Sequence, residues 1–268
     1  MRVDYGQDAP GLMRGFLAGG AVAGVVALGA ARVLPGPWAG LAAVLAGVVA
    51  VYLLGMGTFM VFESRIGKVR DRDTILNRLP WTGHETVLDV GCGRGLMLIG
   101  AALQLTTGRA IGIDLWRAED QAMNSPEATL ANAAAMGVAD RVSVQTADMR
   151  ALPFDWGSFD VILSAWAVHN LPDPDQRRTA LAEMLRVLRP GGILAVTDIE
   201  GRDAYRDALG VLGARDIAVI VLHPIKDKII GALSFGSFAP FTIMARKRGQ
   251  IAGADEAAAV AGAGSASG

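Results

Sequence analysis

From Gly15 to Phe62 the chain carries a single charged residue, Arg32. The rest of that stretch is mostly Ala, Gly, Val and Leu, broken by Pro35-Gly36-Pro37. A helix needs roughly 20 apolar residues to cross the hydrocarbon core of a bilayer. Two such spans fit, at 12–34 and 38–62, and the proline-glycine turn stops one helix and starts the next. Residues 12–62 therefore predict a transmembrane hairpin. A secretory signal peptide is the competing reading, with Arg2 and Arg14 as its basic flank and Phe16–Ala30 as its apolar core. Cleavage there would still leave the second span as an anchor. A soluble, buried hairpin is disfavoured, because nothing downstream offers enough apolar surface to wrap it.

The flanks orient the hairpin. Arg14 precedes the first span, Arg65, Lys68, Arg70 and Arg72 follow the second, and Arg32 alone sits near the turn. The excess of cations at both ends puts both termini and the downstream domain in the cytoplasm, as an integral membrane protein. Residues 1–11 are then a cytoplasmic N-terminus. Gly20 and Gly24 have the small-residue spacing that lets helices approach closely. Packing within the hairpin and a homo-oligomer through the spans both account for that spacing.

The formal net charge of −1 gives no basic field, so composition makes no case for a nucleic-acid partner. The single cysteine, Cys92, excludes an intramolecular disulfide and a Cys-rich zinc site. No clustered His/Asp/Glu set suggests a metal.

Residues 63–85 form a charged connector. Ile66, Val69, Asp73, Leu76 and Leu79 recur at steps of three or four and predict a short amphipathic helix. Its basic residues would face either anionic headgroups or plain solvent. From Thr86 strand-like and helix-like patterns alternate up to about residue 248. Such alternation implies an α/β domain with a mainly parallel sheet covered on both faces. Residues 249–268 are an Ala/Gly-rich tail whose composition predicts no packed structure.

The chemistry starts at Val87-Leu-Asp-Val-Gly91-Cys-Gly93-Arg-Gly95. A strand, a glycine loop and a helix N-terminus make a nucleotide site at the carboxyl edge of a parallel sheet. The dinucleotide fingerprint is G-x-G-x-x-G, which places a pyrophosphate on the helix dipole. This chain has G-x-G-x-G, with Asp89 two residues ahead of the first glycine. That acid would repel a pyrophosphate and suit a ligand bearing a positive amino group. Asp114 ends the next strand, about 20 residues on, where an acid accepts from ribose hydroxyls. Asp148 follows the third strand, where an acid can accept from an adenine amino group while the Met149 N–H serves a ring nitrogen.

"VLDVGCGRG", "IGIDL", "QTADM", "FDVILSAWAVHNL" and "LRVLRPGGILAVTD" occur in that order. Over about residues 65–247 the chain thereby resembles the class I S-adenosylmethionine-dependent methyltransferases, and within them the ubiquinone/menaquinone-type and related small-molecule enzymes. The resemblance implies a Rossmann-like, seven-stranded mixed sheet whose last strand is antiparallel. It implies S-adenosylmethionine as cofactor, with Asp89 and the backbone at Gly91 and Gly93 holding the methionine part. Cys92, inside the loop, would be a small filler that lets the cofactor approach. Asp114 would hold the ribose, Leu115 and Trp116 would flank the adenine, and Asp148 with Met149 would read its edge. Ser164 and Ala165 would lie against the methionine moiety and the sulfonium.

In-line displacement from a sulfonium asks the protein mainly to align an acceptor. A general base is needed when the acceptor must lose a proton. His169 in "AWAVHNL" is the candidate. The competing reading is that His169 only holds its loop, and Trp166 and Asn170 shape the pocket. His84 and His223 are read as structural or exposed. The link 116–132 is longer and more polar than such links usually are. The segment 223–240 is long and apolar for a hairpin link. The first either selects the substrate or lids the cofactor, or is a decorated surface loop; the second either roofs the acceptor site or touches the bilayer, or packs on its own sheet. The expected acceptor is small and hydrophobic or lipid-like, such as a quinone, an isoprenoid or a lipid headgroup. Two other readings compete: a membrane sensor that binds the cofactor without turnover, and a nicotinamide-dependent oxidoreductase, which the glycine spacing and Asp89 disfavour.

Overall fold

The computed structural model describes residues 3–7, 9–33, 36–117, 121, 123–234 and 240–249. The Ala/Gly-rich tail from residue 250 lies outside the described residues, as do 118–120, 122 and 235–239 within the two long links.

Two long helices come first, α1 (Pro10–Val33) and α2 (Pro37–Phe62). Both are long and apolar enough to cross a membrane, and only 6% of each one's most apolar window is buried. A core helix of a soluble domain would be mostly covered, so these two present their Val and Leu side chains outward. They pack on each other through glycine. A Cβ at Gly20 would meet Leu54 at 2.7 Å, and one at Gly57 would meet Leu17 at 2.7 Å. The small-residue face is thus used inside the hairpin.

A π-helical turn (Glu63–Gly67) carries α2 into α3 (Lys68–Leu76). The wider turn rotates the following face. Lys68, Arg72, Ile75 and Leu76 are buried, whereas Ile66 and Asp73 of the expected apolar stripe are exposed. The expectation that this connector turns its cations outward is therefore corrected for Lys68 and Arg72, which face the protein.

The rest is an α/β domain. Its strands are β1 (Thr86–Val90), β2 (Arg109–Asp114), β3 (Val142–Thr146), β4 (Phe159–Ala165), β5 (Leu188–Asp198), β6 (Arg215–Ile220) and β7 (Phe241–Arg246). They form one seven-stranded sheet in the order β3-β2-β1-β4-β5-β7-β6. Pairing from β3 to β5 is parallel, and β7 is antiparallel to both neighbours. Helices α4 (Leu96–Ala102), α5 (Pro126–Ala135), α6 (Pro174–Val187) and α7 (Arg202–Val211) connect them.

The period-two alternation of strands divides the core between two faces. Leu88, Ile162 and Leu194 pack with Leu181 and Met184 of α6 and Tyr205 of α7. Val87, Val161 and Ala195, their immediate neighbours, pack with Leu98 of α4, Ala133 of α5 and Leu76 of α3. Each large aliphatic side chain so covered contributes roughly 1.5–3 kcal/mol. This two-sided burial is why β4 and β5 each carry a continuous apolar run, Val161–Leu163 and Ile193–Val196. An eighth helix, α8 (Pro224–Leu233), occupies the link expected to join the last two strands as a loop. Pro224 sits in the first turn, where its missing N–H is harmless.

Candidate functional site

The parallel strands aim their carboxyl ends at one edge, and the residues singled out in the sequence gather there. The glycine loop turns its own donors inward. Gly91 and Cys92 N–H groups both donate to the Ile113 carbonyl, at 2.8 and 2.9 Å, and Gly95 N–H donates to Cys92 O at 2.8 Å. Gly93 N–H donates to Asp114 Oδ2 at 2.8 Å, and Arg94 N–H donates to Gln121 Oε1 at 2.9 Å. A pyrophosphate needs such amides facing it. Here those amides are already occupied, and the nearby carboxylates of Asp89 and Asp114 favour a cation instead.

Asp89 sharpens this. It is 1% exposed. Its Oδ2 accepts from Leu98 N–H at 2.8 Å, near the start of α4, while Oδ1 is buried with no hydrogen-bond partner. Burial, with the Asp114 carboxylate nearby, pushes its pKa up to about 7 despite the helix-end donor. An orphaned acceptor of this kind is relieved by an ammonium, which is what the methionine end of S-adenosylmethionine carries.

Gly91 has φ 75° and faces a tight gap. A Cβ there would meet Ala167 Cβ at 2.3 Å and Met149 Cε at 3.7 Å. Glycine is therefore needed for both the turn and the close approach of the post-β4 segment. Cys92 is buried, and its sulfur packs with Leu98 against Gly112. That places the thiol beneath the loop, where burial raises its pKa.

Asp114 also accepts from Trp116 N–H at 2.7 Å and from Asn124 Nδ2 at 3.1 Å. A carboxylate has about four acceptor positions, so capacity is left for ribose hydroxyls. Leu115 is 41% exposed beside it. Trp116 adopts φ 59°, and its indole N–H donates to Thr146 Oγ1 at 2.8 Å. Asp148 departs from the expectation of an open acceptor. Arg150 chelates its carboxylate at 2.6–3.1 Å and lowers its pKa. Ser164 is buried and spends its hydroxyl on the Val90 carbonyl at 2.9 Å, tying β4 to β1, while Ala165 is half-buried next to it.

On the other side of Gly91 the chain builds a hydrogen-bond cluster. His169 Nδ1 lies 2.5 Å from Asp198 Oδ1, and the His169 backbone N–H donates to Asp198 Oδ2 at 3.0 Å. Tyr205 OH donates to Asp198 Oδ2 at 3.2 Å, and burial holds the phenol protonated. Asp198 is fully buried and ends β5, whereas the His169 side chain keeps 22% exposure. An ionised carboxylate at this distance accepts a proton held on Nδ1, and in the neutral ring that tautomer leaves the lone pair on Nε2. Trp166, three residues earlier, adopts φ 59°. A strained tryptophan at the end of β4 marks a turn imposed by the site.

Two further groups emerge only in three dimensions. Asp198 follows the rule that marked Asp89, Asp114 and Asp148, an acid at or just beyond a strand end, but it was not singled out in the sequence. Residues 3–7, read as a plain N-terminus, form a strap over the loop. Asn132 and Arg94 hold the Asp4 carbonyl, at 2.8 Å each, and Lys68 and Gln121 hold the Tyr5 carbonyl, at 3.0 Å each. His84 lies elsewhere, on Thr107 at 2.5 Å, beside a shallow cleft at the opposite edge of the sheet.

Residues 87–192 match the family model described as "Methyltransferase domain". This part of the chain is similar to methyltransferase domains. Two solved geranyl diphosphate methyltransferases that share the fold at 18% and 19% identity hold S-adenosyl-L-homocysteine and S-adenosylmethionine. The domain is 36% identical over 138 residues to Methyltransferase GfsG of Streptomyces halstedii, covering 52% of this chain and 46% of that one. It is 31% identical over 160 residues to 27-O-demethylrifamycin SV methyltransferase of Amycolatopsis mediterranei, covering 56% and 54%. The chain thus spans about half the length of the curated relatives it matches. Among solved structures the domain shares its fold with geranyl diphosphate C-methyltransferase of Streptomyces coelicolor A3(2). That likeness has a TM-score of 0.54 and 18% identity, covering 66% of this chain and 78% of that one. The [4+2]-cyclase SpnF is alike too, with a TM-score of 0.52 and 20% identity, covering 68% and 82%. A cyclase and a methyltransferase on one fold put the burden of function on the site.

Proposed function

We propose that the chain transfers a methyl group from S-adenosylmethionine to an oxygen or nitrogen of a small, apolar, membrane-resident acceptor, with His169 as general base. The observation that carries this is the buried Asp198 carboxylate, 2.5 Å from His169 Nδ1, at the same edge as the glycine loop. S-adenosylmethionine supplies an activated methyl on a positive sulfonium, so the protein need not generate an electrophile. Asp89 and the loop backbone at Gly91 and Gly93 hold the ammonium end, Asp114 the ribose, and Leu115 with Trp116 the adenine. The Met149 N–H reads the adenine edge, with Asp148 positioned by Arg150. Ser164 and Ala165 contribute backbone beside the sulfonium. His169 Nε2 would take the acceptor's proton as the acceptor bonds to the methyl carbon and the carbon–sulfur bond breaks, its electron pair leaving with the sulfur. Asp198 keeps the imidazole in the right tautomer and stabilises the imidazolium, with Tyr205 fixing Asp198 in turn.

The membrane part of the reading rests on α1 and α2, with the N-terminus, the domain and the C-terminus all on the cytoplasmic side. Both ends of the hairpin stand over the carboxyl edge, because the strap leads from the glycine loop into α1 and α3 packs on α4 through Arg72 and Gly100. An acceptor leaving the bilayer there would meet the site.

The test is transfer from methyl-labelled S-adenosylmethionine to a fractionated membrane-lipid extract by detergent-solubilised full-length protein. Label entering an organic-soluble product, and falling by orders of magnitude in Asp198→Asn at unchanged cofactor affinity, is the expected result. Cofactor binding with no product in any fraction would favour a non-catalytic sensor. Label only in water-soluble acceptors would overturn the membrane-resident substrate.

A further inference from the structure

We propose that α8 is a second membrane contact, a short helix that dips beside α2 into the cytoplasmic leaflet and docks the acceptor side of the sheet against the bilayer. The proposal rests on the hairpin's being a membrane anchor. Its argument is one of position. β6 ends at Ile220 on the carboxyl edge, and β7 starts there, Phe241 pairing with Asp198. The link between them, which includes α8, therefore lies on the same edge as His169.

Three polar contacts fix its direction. His223 Nε2 lies 2.6 Å from Asp71 Oδ1, just ahead of α8. Lys226 Nζ lies 2.9 Å from Glu63 Oε2. Tyr52 OH donates to the Leu233 carbonyl at 2.8 Å. From Glu63 to Tyr52 is about 16 Å along a helix, so α8 runs antiparallel to α2 toward its apolar middle. The depth of its far end follows from the hairpin's own register. Leu17 faces Gly57 and Gly20 faces Leu54, so Arg14, the last charge before the span, stands level with about residue 60. Tyr52 lies about 12 Å beyond that level, within the uncharged stretch.

The sequence of α8 follows this gradient. Its charges, Lys226, Asp227 and Lys228, are all in the first half, near the Glu63 level. From Ile229 to Phe241 there is no charged residue. Ile225 and Ile229 are 78% and 55% exposed and share one face with exposed Leu233, so the helix carries an apolar stripe that the protein leaves uncovered. A helix end in hydrocarbon must also have its orphan carbonyls satisfied. The Tyr52 hydroxyl does this for Leu233, at a point where water is scarce in a bilayer. The occupant that matches an apolar stripe grading into lysines is a lipid surface with anionic headgroups.

The test places spin labels on single introduced cysteines in the full chain, with the buried Cys92 left in place. Ile225→Cys, Ile229→Cys and Leu233→Cys report on α8, Val48→Cys on α2, and Val211→Cys on a fully wetted position. The protein is reconstituted in phosphatidylcholine/phosphatidylglycerol vesicles, and accessibility to molecular oxygen and to a water-soluble nickel chelate is measured. Cofactor affinity checks that each variant is folded. The expected result is high oxygen and low nickel accessibility at Val48, Ile229 and Leu233, with depth increasing from 225 to 233. If the α8 labels match Val211 while Val48 is in lipid, the anchor stands and the proposal falls. If Val48 is wetted as well, the anchor reading itself fails and takes the proposal with it. Labels on α8 shielded from both reagents would mean a protein partner covers the stripe, which also overturns it.

Discussion

At the glycine loop, five consecutive amides from Gly91 to Gly95 are satisfied by the loop itself, the end of β2 and one glutamine. At the ends of β4 and β5, one carboxylate gathers the backbone amide and imidazole of His169 and the phenol of Tyr205, from two separate segments. The first arrangement is backbone chemistry, rigid and local, and in the proposed function it holds the donor cofactor. The second is side-chain chemistry, assembled across the fold, and in the same proposal it serves the acceptor. Damage to the two sides should therefore look different. Acceptor-side lesions should reduce turnover at constant cofactor affinity, and donor-side lesions should reduce affinity first.

The largest effect is expected from His169→Ala. General acid–base groups contribute typically 10²–10⁴ in rate, so transfer should fall by about that factor while cofactor affinity stays within about twofold. Single-turnover transfer and calorimetric binding measure the two quantities. Asp198→Asn should fall between this variant and Tyr205→Phe, which removes only a 3.2 Å hydrogen bond and leaves the Asp198–His169 contact in place. A parallel loss of cofactor affinity in His169→Ala would erase the distinction between the two sides.

Gly91→Ala attacks the donor side at its tightest point. The new methyl would meet Ala167 Cβ at 2.3 Å on a backbone at φ 75°. Strain of this type costs about 1–3 kcal/mol, and the clash must also move the post-β4 segment. Cofactor affinity should drop at least about tenfold, and thermal stability should fall with it. Adding Ala167→Gly should return part of the affinity by removing the clash but not the strain. No recovery would mean that the positive φ alone dictates glycine here.

These contrasts explain what was legible in the sequence. The alternation of strands and helices and the glycine loop follow from local patterns and short spacings, the antiparallel last strand came only with the family resemblance, and the order of the strands was not foreseen. Asp198 was hidden although its sequence context matched, because its role depends on His169, 29 residues away. The strap was hidden more deeply, since Asp4 and Tyr5 find partners at positions 68, 94, 121 and 132, which no periodicity connects. The π-helical turn shifted the buried face of α3 by a rotation that a 3.6-residue period does not foresee. The link to β7 hid a helix behind a run of apolar residues that reads equally well as a loop.

Asp89 gives the comparison a pH axis. Its pKa is raised to about 7 in the folded protein, above its ordinary value of 3.8. The folded state thus holds a proton that the unfolded state releases, so stability without cofactor should decline as pH rises from about 4 to 7 and then level off. An ammonium ligand favours the ionised carboxylate, so cofactor affinity should move the opposite way. It should improve by up to about tenfold per pH unit below 7 and flatten above it. Asp89→Asn should abolish both slopes. A flat affinity profile in the unaltered protein would place the ammonium elsewhere. His169 variants should leave this profile unchanged, because they act on the acceptor side.

The smallest effect concerns the strap, which joins the loop to the start of α1. Arg94 donates through Nε to the Asp4 carbonyl at 2.8 Å and pairs with the Asp4 carboxylate at 3.2 Å. Asp4 is largely exposed, so the ion pair is screened and the backbone contact carries more of the energy. The Tyr5 ring lies under Arg72, 5.7 Å from its guanidinium carbon. Tyr5→Ala and Arg94→Ala should each weaken cofactor binding by only a few-fold, a cost of about 1 kcal/mol. Because both hold one short segment, their effects should overlap rather than add, with a coupling of about 0.5–1.5 kcal/mol in a double-mutant cycle. Hydrogen exchange at residues 3–7 should quicken in either variant and slow again when cofactor binds. Strict additivity with unchanged exchange would mean that the strap merely rests on the loop, and that the hairpin and the donor site are joined only through α3.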